Sequence, residues 1–445
     1  MKVGSVNLNE LKVWLVALSL LLIPLYELWV RVFPNILILT PDTRVTKELL
    51  CLIMAFLIGL LAFCSKIVPV KNYYILAFLF FLIISFRLSP KFPLEIEKID
   101  NSSVWLFRDM FYAVVYFLLF ISVSSLNITQ KHIDLILKCL MYSSAICALY
   151  AIYQQIGLDQ FWDVKTEKEF VWVSQKQIVG TLGQPTIVAP FLAIGVLLSY
   201  SYKKWIFVLA GLIALLCTQS MVAIVAFLIT VFAMISLNKK EAIPLIAVIL
   251  IIFAALSFSS LDKSINPKNI FKSNGRFDVW QKTWKDFRDN PIENIKGDYS
   301  ITGTGLGTFG YLWTPRNKSS FRQAHNDFLE ILWGVGIVGF TIFIAAWIEV
   351  IRFALRKFHT LINVKKWQVF IIASVFFYIS ICCLGTFLWQ LGVYQFITVV
   401  CVGLIYNDYF NEKRRNFHVN ISKETFKFNP IKLNRSRFIP EGIMG

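Results

Sequence analysis

Residues 205–237 read WIFVLAGLIALLCTQSMVAIVAFLITVFAMISL, two uncharged apolar segments separated by the polar tripeptide Thr218-Gln219-Ser220. Similar runs of about 17–25 residues recur along the chain, each long enough to cross a hydrocarbon core about 30 Å thick. About twelve can be counted, and they are centred near Leu20, Leu57, Leu79, Phe117, Met141, Ile194, Gly211, Phe227, Leu250, Ile337, Ser374 and Val399, with those at Gly211 and Leu250 short. Only helices and closed barrels satisfy their backbone groups in lipid, so the sequence predicts an all-α polytopic membrane protein.

The composition excludes an ordinary soluble protein. Of the 445 residues, 57% are hydrophobic and 16% aromatic, and the mean hydropathy is +0.64. Lys2 and Lys12 precede the first apolar run, but no small-residue cleavage site follows it. We therefore expect an uncleaved first span rather than a signal peptide.

The net charge of +17 is distributed as a membrane protein requires, and this argues against nucleic acid as a partner. With the N-terminus inside, lysine and arginine fill the short even-numbered loops and the tail, at Lys66, Lys71, Lys131, Lys203, Lys204, Lys239, Lys240, Arg352, Arg356, Lys357, Lys365, Lys366, Lys413, Arg414, Arg415, Lys423, Lys427, Lys432, Arg435 and Arg437. The positive-inside rule then predicts cytoplasmic N- and C-termini. It leaves residues 259–326 on the outer side, and residues 407–445 as a basic cytoplasmic tail attracted to membrane lipids.

Cysteine and histidine usage gives no metal site. All eight cysteines fall in predicted spans, and no cysteine–histidine cluster has zinc-ligand spacing. No cofactor is expected. Among the four histidines, only His325 lies on the predicted outer side.

The polar stretch at residues 259–326 contains one amphipathic helix, which starts after Gly275 and stops at Asn290-Pro291. A helical repeat places the following residues on one face: Arg276, Trp280, Thr283, Trp284 and Phe287. Such a helix lies flat in the membrane interface. Two interpretations of Arg276 stay open. It snorkels to water from the helix end, or it points inward at an anionic group, where arginine suits phosphate oxygens.

Gly303, Gly305 and Gly307 form a glycine-rich turn that is similar to a dinucleotide fingerprint. No strand–helix alternation surrounds it and the third glycine comes too early, so that assignment fails. A tight turn with close backbone packing and a phosphate cradle are the two remaining interpretations, and spacing alone favours the turn.

His325 precedes a helix start for which Asn326 or Asp327 is a natural N-cap. It is either an interfacial polar anchor or, at the positive end of a helix, a proton-handling group with a lowered pKa. A second outer segment, ending in Gly180-Thr-Leu-Gly-Gln-Pro185, supplies a possible wall with Gln184.

Together these motifs resemble the bacterial O-antigen ligase and polymerase superfamily. The resemblance rests on Gly275-Arg276-x3-Trp280, Asn290-Pro291, Gly303-x-Gly305-x-Gly307-x-Phe309, His325-Asn326-x2-Leu329-Glu330 and Gly336-x2-Gly339. It implies a GT-C-like membrane glycosyltransferase in the bacterial inner membrane, with interfacial helices in a large periplasmic loop. Such enzymes move a glycan from undecaprenyl pyrophosphate to an acceptor hydroxyl, either on another glycan or on lipid A-core, without metal.

The resemblance also implies roles for single residues. Arg276 would bind the donor pyrophosphate and stabilise the charge of the leaving group, and His325 would activate the acceptor hydroxyl or help to hold the leaving group. The substrate-binding residues expected beside them are Trp280, Gln184, Gly303, Gly305, Gly307, Arg322 and Asn326.

One motif departs from the family. Members carry a Thr/Ser-x-Ser/Thr-Arg motif at the outer end of a mid-chain span, and here that stretch reads Thr218-Gln219-Ser220-Met221. Methionine cannot pair with phosphate, so one expected cation is absent. Lys176, Arg316 and Arg322 are the substitutes that the sequence offers.

The sequence thus predicts nine transmembrane helices in residues 1–258, a periplasmic catalytic loop at 259–326, three more helices at 327–406 and the tail at 407–445. Two other functions remain open: a transporter or transport accessory of the bicarbonate-uptake kind, and an inactive scaffold in a polysaccharide assembly complex. Transporters place ionisable groups near the bilayer midplane, often in repeated halves. Here charges within spans lie near their ends, at Glu27, Arg87 and Glu349.

Overall fold

The structure, a computed structural model, describes residues 7–26, 28, 43–63, 75–77, 102–158, 178, 180–182, 184–237, 276–289, 299–305, 309, 323–361, 363–407 and 409. This part of the chain is helical and contains no strand. Its helices are α1 (Leu8–Leu22), α2 (Thr43–Phe63), α3 (Ser102–Ser124), α4 (Gln130–Gln155), α5 (Pro185–Ser201), α6 (Trp205–Cys217), α7 (Met221–Leu237), α8 (Arg276–Asp289), α9 (Tyr299–Thr302), α10 (Asp327–Thr360), α11 (Asn363–Cys382) and α12 (Gly392–Tyr406). Short 3-10 turns cover Ile23–Leu25 and Leu388–Gln390.

Four described segments are long and apolar enough to cross a membrane: Leu8–Leu25, Gln130–Gln155, Asp327–Thr360 and Lys365–Cys382. Shorter apolar helices accompany them at Phe111–Ser124, Pro185–Ser201, Trp205–Cys217, Met221–Leu237 and Gly392–Tyr406. The all-helical membrane architecture is therefore confirmed. About twelve spans, a GT-C-like fold and the domain limits stay predictions, and the runs near Leu79 and Leu250 lie outside the described residues.

The centre of the bundle is formed by α5, α11 and α12. Every residue of α5 from Ile187 to Tyr200 is buried, and Tyr394, Leu404 and Ile405 of α12 are fully enclosed. A helix that is hydrophobic all round is a core helix, which explains why these two segments lack a polar face.

At one end of the bundle, polar side chains join the termini of several helices. Lys357 Nζ donates to the carbonyls of Ile405 at 2.8 Å and Asn407 at 3.2 Å, which cap α12. Asn407 Nδ2 donates to Leu126 O at 2.8 Å, beyond the end of α3. His132 belongs to this end, where its Nε2 lies 3.2 Å from Glu10 and its backbone joins a capping box at the start of α4. His132 thus caps α4 and contacts Glu10, far along the helices from His325.

At the opposite end, α5, α7, α10 and α12 begin and α11 ends. Here a turn of three residues, Thr218, Gln219 and Ser220, joins α6 to α7, with Gln219 in the left-handed region at φ +54°. The predicted shortness of the run near Gly211 is confirmed, because α6 has 13 residues and is about 20 Å long.

A kink in α10 receives the glycine turn. Gly336 interrupts the helix at φ +66° and ψ −177°. An α-helical carbonyl accepts from the amide four residues later, so this break makes carbonyls one turn earlier available to other donors. The Thr304 amide donates to Trp333 O at 3.1 Å and the Gly305 amide to Gly334 O at 2.8 Å. The close backbone packing expected of the turn is thus confirmed at this point.

We expect Gly303→Ala to destabilise the protein strongly. Gly303 has φ +80°, and a Cβ there would lie 2.2 Å from the Gly334 carbonyl oxygen, a backbone atom that cannot step aside. The left-handed conformation costs about 1–2 kcal/mol for alanine, and overpacking adds about 1–3 kcal/mol. Thermal unfolding in detergent measures the sum. Gly157→Ala is the matched control, because Gly157 has φ +76° with nothing within 4 Å. Equal losses in the two variants would contradict the steric argument.

Candidate active site

Helix α8 covers the start of α10 and carries the first candidate residue, Arg276. Its buried side is a narrow stripe of Val279, Thr283 and Phe287, which packs with Leu332 and Trp333 of α10. The predicted helix is confirmed, and the charged face lies outward.

The prediction that Trp284 belongs to the buried face of α8 is wrong. Trp284 is 51% exposed, and Phe277, predicted at the edge, is 64% exposed. Both lie on the same flank of α8, about 80–100° away from Arg276 on a helix of 3.6 residues per turn. The buried stripe of α8 is narrower than the face predicted from its aromatic residues, and Trp284 and Phe277 lie outside this stripe.

Arg276 points inward rather than snorkelling. Its Nη1 donates to the carbonyl oxygen of Gly385 at 2.9 Å, and the side chain is partly buried. Burial lowers the pKa of Arg276, but a guanidinium stays protonated in proteins at neutral pH. Within the described part of the chain no carboxylate pairs with it. The arrangement holds a positive charge in a partly desolvated place, where an anion would find it.

Both backbone polar groups of Ala324, the residue before His325, form hydrogen bonds. The indole Nε1 of Trp280 donates to Ala324 O at 2.7 Å, and the Ala324 amide donates to Glu330 Oε1 at 2.6 Å. His325 itself has φ +52°, a left-handed conformation that is uncommon outside glycine. Such a conformation costs about 1–3 kcal/mol and persists where the surroundings over-determine it, often at functional sites. The residues around His325 provide this constraint.

His325 is an aromatic neighbour of Phe387, with ring centroids 5.1 Å apart and planes at 65°. Burial lowers the pKa of His325 to about 4, with the charge of Arg276 as the second cause. The predicted lowering of the His325 pKa is confirmed, but its causes are burial and Arg276 rather than the expected effect of the helix terminus. The imidazole is neutral at pH 7, and Arg276 lies close enough to act on it electrostatically.

Helix α10 starts as the sequence predicts. Asn326 is the N-cap, and its Oδ1 accepts from the Leu329 amide at 3.2 Å. The next residue, Asp327, is only 2% exposed. Its amide donates to Cys383 O at 2.9 Å, and its Oδ2 accepts from the Trp389 amide at 2.8 Å.

The contacts of Arg276, His325 and Asp327 converge on one segment, residues 383–391, which we term the α11–α12 loop. It supplies the Gly385 carbonyl and the Phe387 ring. The sequence analysis did not identify this loop as part of the site, because its sequence, CLGTFLWQL, is a mostly apolar connection between two predicted spans. A backbone carbonyl has no side-chain signature, and Gly385 was the one available signal.

The departure at Met221 lies beside the same loop. Met221 opens α7, and a Cβ at Gly385 would lie 2.8 Å from Cγ1 of the next residue, Val222. The start of α7 therefore packs directly on the residue whose carbonyl accepts from Arg276. An arginine at position 221 would stand within a side-chain length of that contact.

The other expected substrate residues are placed less closely. Gln184 is the N-cap residue of α5 at the same end of the bundle. Gly303 and Gly305 pack at the α10 kink, about 10 Å along the helix from Asp327. Gly307, Arg322, Lys176 and Arg316 lie outside the described residues. The binding roles of Trp280, Gln184, Asn326 and these glycines stay predictions.

Comparison with known families gives a match over part of the chain. Residues 187–344 match the model of the O-antigen ligase family. The match supports membership in the O-antigen ligase and polymerase family. It confirms the resemblance seen in the sequence motifs, and it covers Met221, Arg276 and His325. A comparison with curated proteins found no match.

The O-antigen ligase family is a glycosyltransferase-like family of ligase and polymerase type. Together with the apolar helices, the match supports a membrane protein of the O-antigen ligase type. The α11–α12 loop lies beyond the matched residues, so only the structure connects it with Arg276 and His325.

Proposed function

We propose that this protein transfers a glycan from undecaprenyl pyrophosphate to an acceptor hydroxyl at the periplasmic face of the inner membrane. The observation that carries the proposal is the pairing of a partly buried, carboxylate-free Arg276 with a neutral His325 on one loop. A cation placed where charge develops is a main lever for group transfer. Lipid-linked phosphate lies at headgroup depth, where α8 would lie as an interfacial helix.

The proposed reaction balances without a metal or a nucleotide. The bond between the anomeric carbon and the pyrophosphate oxygen breaks, and the bond from that carbon to the acceptor oxygen forms. The hydroxyl proton passes to the His325 imidazole, which is neutral and accepts it. The departing undecaprenyl pyrophosphate carries its negative charge next to Arg276.

The experiment is reconstitution of the purified protein with an undecaprenyl-pyrophosphate-linked glycan and either a second lipid-linked glycan or lipid A-core. We expect a longer lipid-linked glycan or a glycosylated lipid A-core, and in a deletion strain the lipopolysaccharide ladder distinguishes the two. Loss of the whole ladder indicates a ligase, whereas retention of a single capped repeat indicates a polymerase. An unchanged ladder in the deletion strain, together with no product in vitro, would contradict the proposal.

Met221 favours one second candidate, the inactive scaffold, because the expected cation is missing there.

We expect Met221→Arg to lower the KM for the donor about tenfold. A charge-assisted hydrogen bond to phosphate contributes about 1.5–3 kcal/mol, and about 1.4 kcal/mol corresponds to a factor of ten. Steady-state kinetics with varied donor measures the change.

Met221→Leu is the matched control, since it keeps the apolar volume and adds no charge. A wild-type protein without activity that becomes active only in Met221→Arg would support the scaffold function. An unchanged donor KM in both variants would show that position 221 does not face the phosphates.

A further inference from the structure

Asp327 forms a hydrogen bond with each end of the α11–α12 loop, one through its backbone amide and one through its side chain. At the first end, the Asp327 amide donates to Cys383 O at 2.9 Å. At the other end, Asp327 Oδ2 accepts from the Trp389 amide at 2.8 Å. Asp327 is 2% exposed, so water does not compete for these bonds. A residue that bonds to both ends of a loop holds the shape of everything between them.

Both candidate reacting groups contact the loop between those two attachment points. Arg276 donates to Gly385 O, and the His325 ring packs on Phe387. Arg276 comes from α8 and His325 from the segment before α10, so the two residues share no helix. The loop is therefore a support that both residues share, in addition to the hydrogen bond from Trp280 of α8 to Ala324.

We propose that Asp327 is a positioning residue which, by holding both ends of the α11–α12 loop, sets the distance between Arg276 and His325. The inference rests on the proposed function. A carboxyl group suits the position because its oxygen accepts a hydrogen bond from a backbone amide, as Asp327 Oδ2 does from Trp389.

The expected effect follows from the geometry of group transfer. Displacing a catalytic group by about 1 Å lowers the rate on the order of 10²-fold. Without the carboxylate, the Trp389 end of the loop is released, and Gly385 and Phe387 move with it. Asp327 is 2% exposed, so we expect its effect to pass through Arg276 and His325.

The test compares Asp327→Ala and Asp327→Asn with the wild-type protein in the reconstituted transfer reaction. We expect Asp327→Ala to lower kcat on the order of 10²-fold. Asparagine keeps an oxygen that accepts from the Trp389 amide, so Asp327→Asn recovers activity to within about tenfold of wild type. Hydrogen–deuterium exchange of residues 383–391 should rise in Asp327→Ala and remain near wild type in Asp327→Asn.

A further readout separates positioning from a general loss of fold. If the loop moves, Phe387 no longer shields His325, and the acid limb of kcat/KM shifts upward in pH in Asp327→Ala. Asp278→Asn, a change at an exposed carboxylate on α8, is the control and should match wild type. The positioning role is overturned if Asp327→Ala only reduces the amount of folded protein and leaves both the acid limb and the hydrogen–deuterium exchange of residues 383–391 unchanged.

Failure of this inference is distinguishable from failure of the proposed function. A wild-type protein that transfers glycan, with Asp327→Ala equal to it in kcat, overturns the positioning role alone. A wild-type protein that transfers no glycan overturns both.

Discussion

Arg276→Ala should lower glycan transfer by about 10²–10³-fold, the loss that follows removal of one charge-stabilising donor from an active site. Arg276 is partly buried on the Gly385 carbonyl, and no carboxylate among the described residues pairs with its guanidinium. The variant removes the one described positive charge beside His325 that lowers the pKa of that imidazole. The measurement is the rate of product formation at saturating donor and acceptor.

Two further variants locate the effect in the guanidinium. Arg276→Lys keeps the charge but loses the planar fork that matches two phosphate oxygens, so its activity should fall between wild type and alanine. Lys285→Ala removes a cation from the exposed face of the same helix and should retain full activity. Retention of activity within about threefold by Arg276→Ala, against the expected loss, would remove Arg276 from the reaction.

The sequence predicted those parts of the site that depend on local patterns. The amphipathic period gave α8 with Arg276 at its start, and Asn326 before an apolar run gave the N-cap of α10. Both depend on interactions between residues a few positions apart, which a sequence displays directly. His325, the single histidine predicted on the outer side, was found by elimination.

The sequence did not predict the parts that depend on tertiary contacts. Trp284 lies outside the buried stripe of α8, which consists of Val279, Thr283 and Phe287. Gly385 acts through a backbone carbonyl, far from Arg276 along the chain. The cause of the lowered His325 pKa was missed for the same reason, since it needs the burial and the neighbouring Arg276.

His325→Ala is the second change with a large expected effect, a loss of about 10²–10⁴-fold in kcat, which is the range for removing a general base. The backbone at His325 has φ +52°, so alanine also introduces strain at this position. Asparagine tolerates the left-handed region through its short polar side chain, and it cannot accept the proton. His325→Asn should therefore lose as much activity as His325→Ala while unfolding at nearly the wild-type temperature. Full activity of His325→Asn would instead assign to His325 a purely conformational role.

The pH dependence of the wild-type reaction tests the same residue without a mutation. Transfer requires neutral imidazole, so activity falls as the pH drops through the pKa of His325. In the free protein that pKa is about 4, because burial and Arg276 both oppose the charged form. The acid limb of kcat/KM, which reports the free enzyme, should therefore lie near pH 4 rather than at the ordinary histidine value of about 6.5.

Donor binding should move that limb. Both phosphates of a glycosyl undecaprenyl pyrophosphate are esterified, so the donor keeps its negative charge across this pH range. Next to Arg276, that charge offsets the repulsion that the guanidinium exerts on a protonated His325, and the pKa of His325 rises in the complex. A higher pKa makes the imidazole a stronger base at the moment when the acceptor hydroxyl must lose its proton. The acid limb of kcat, which reports the bound complex, should consequently lie at higher pH than that of kcat/KM. Coincident limbs would show that the donor phosphates bind away from the pair formed by Arg276 and His325.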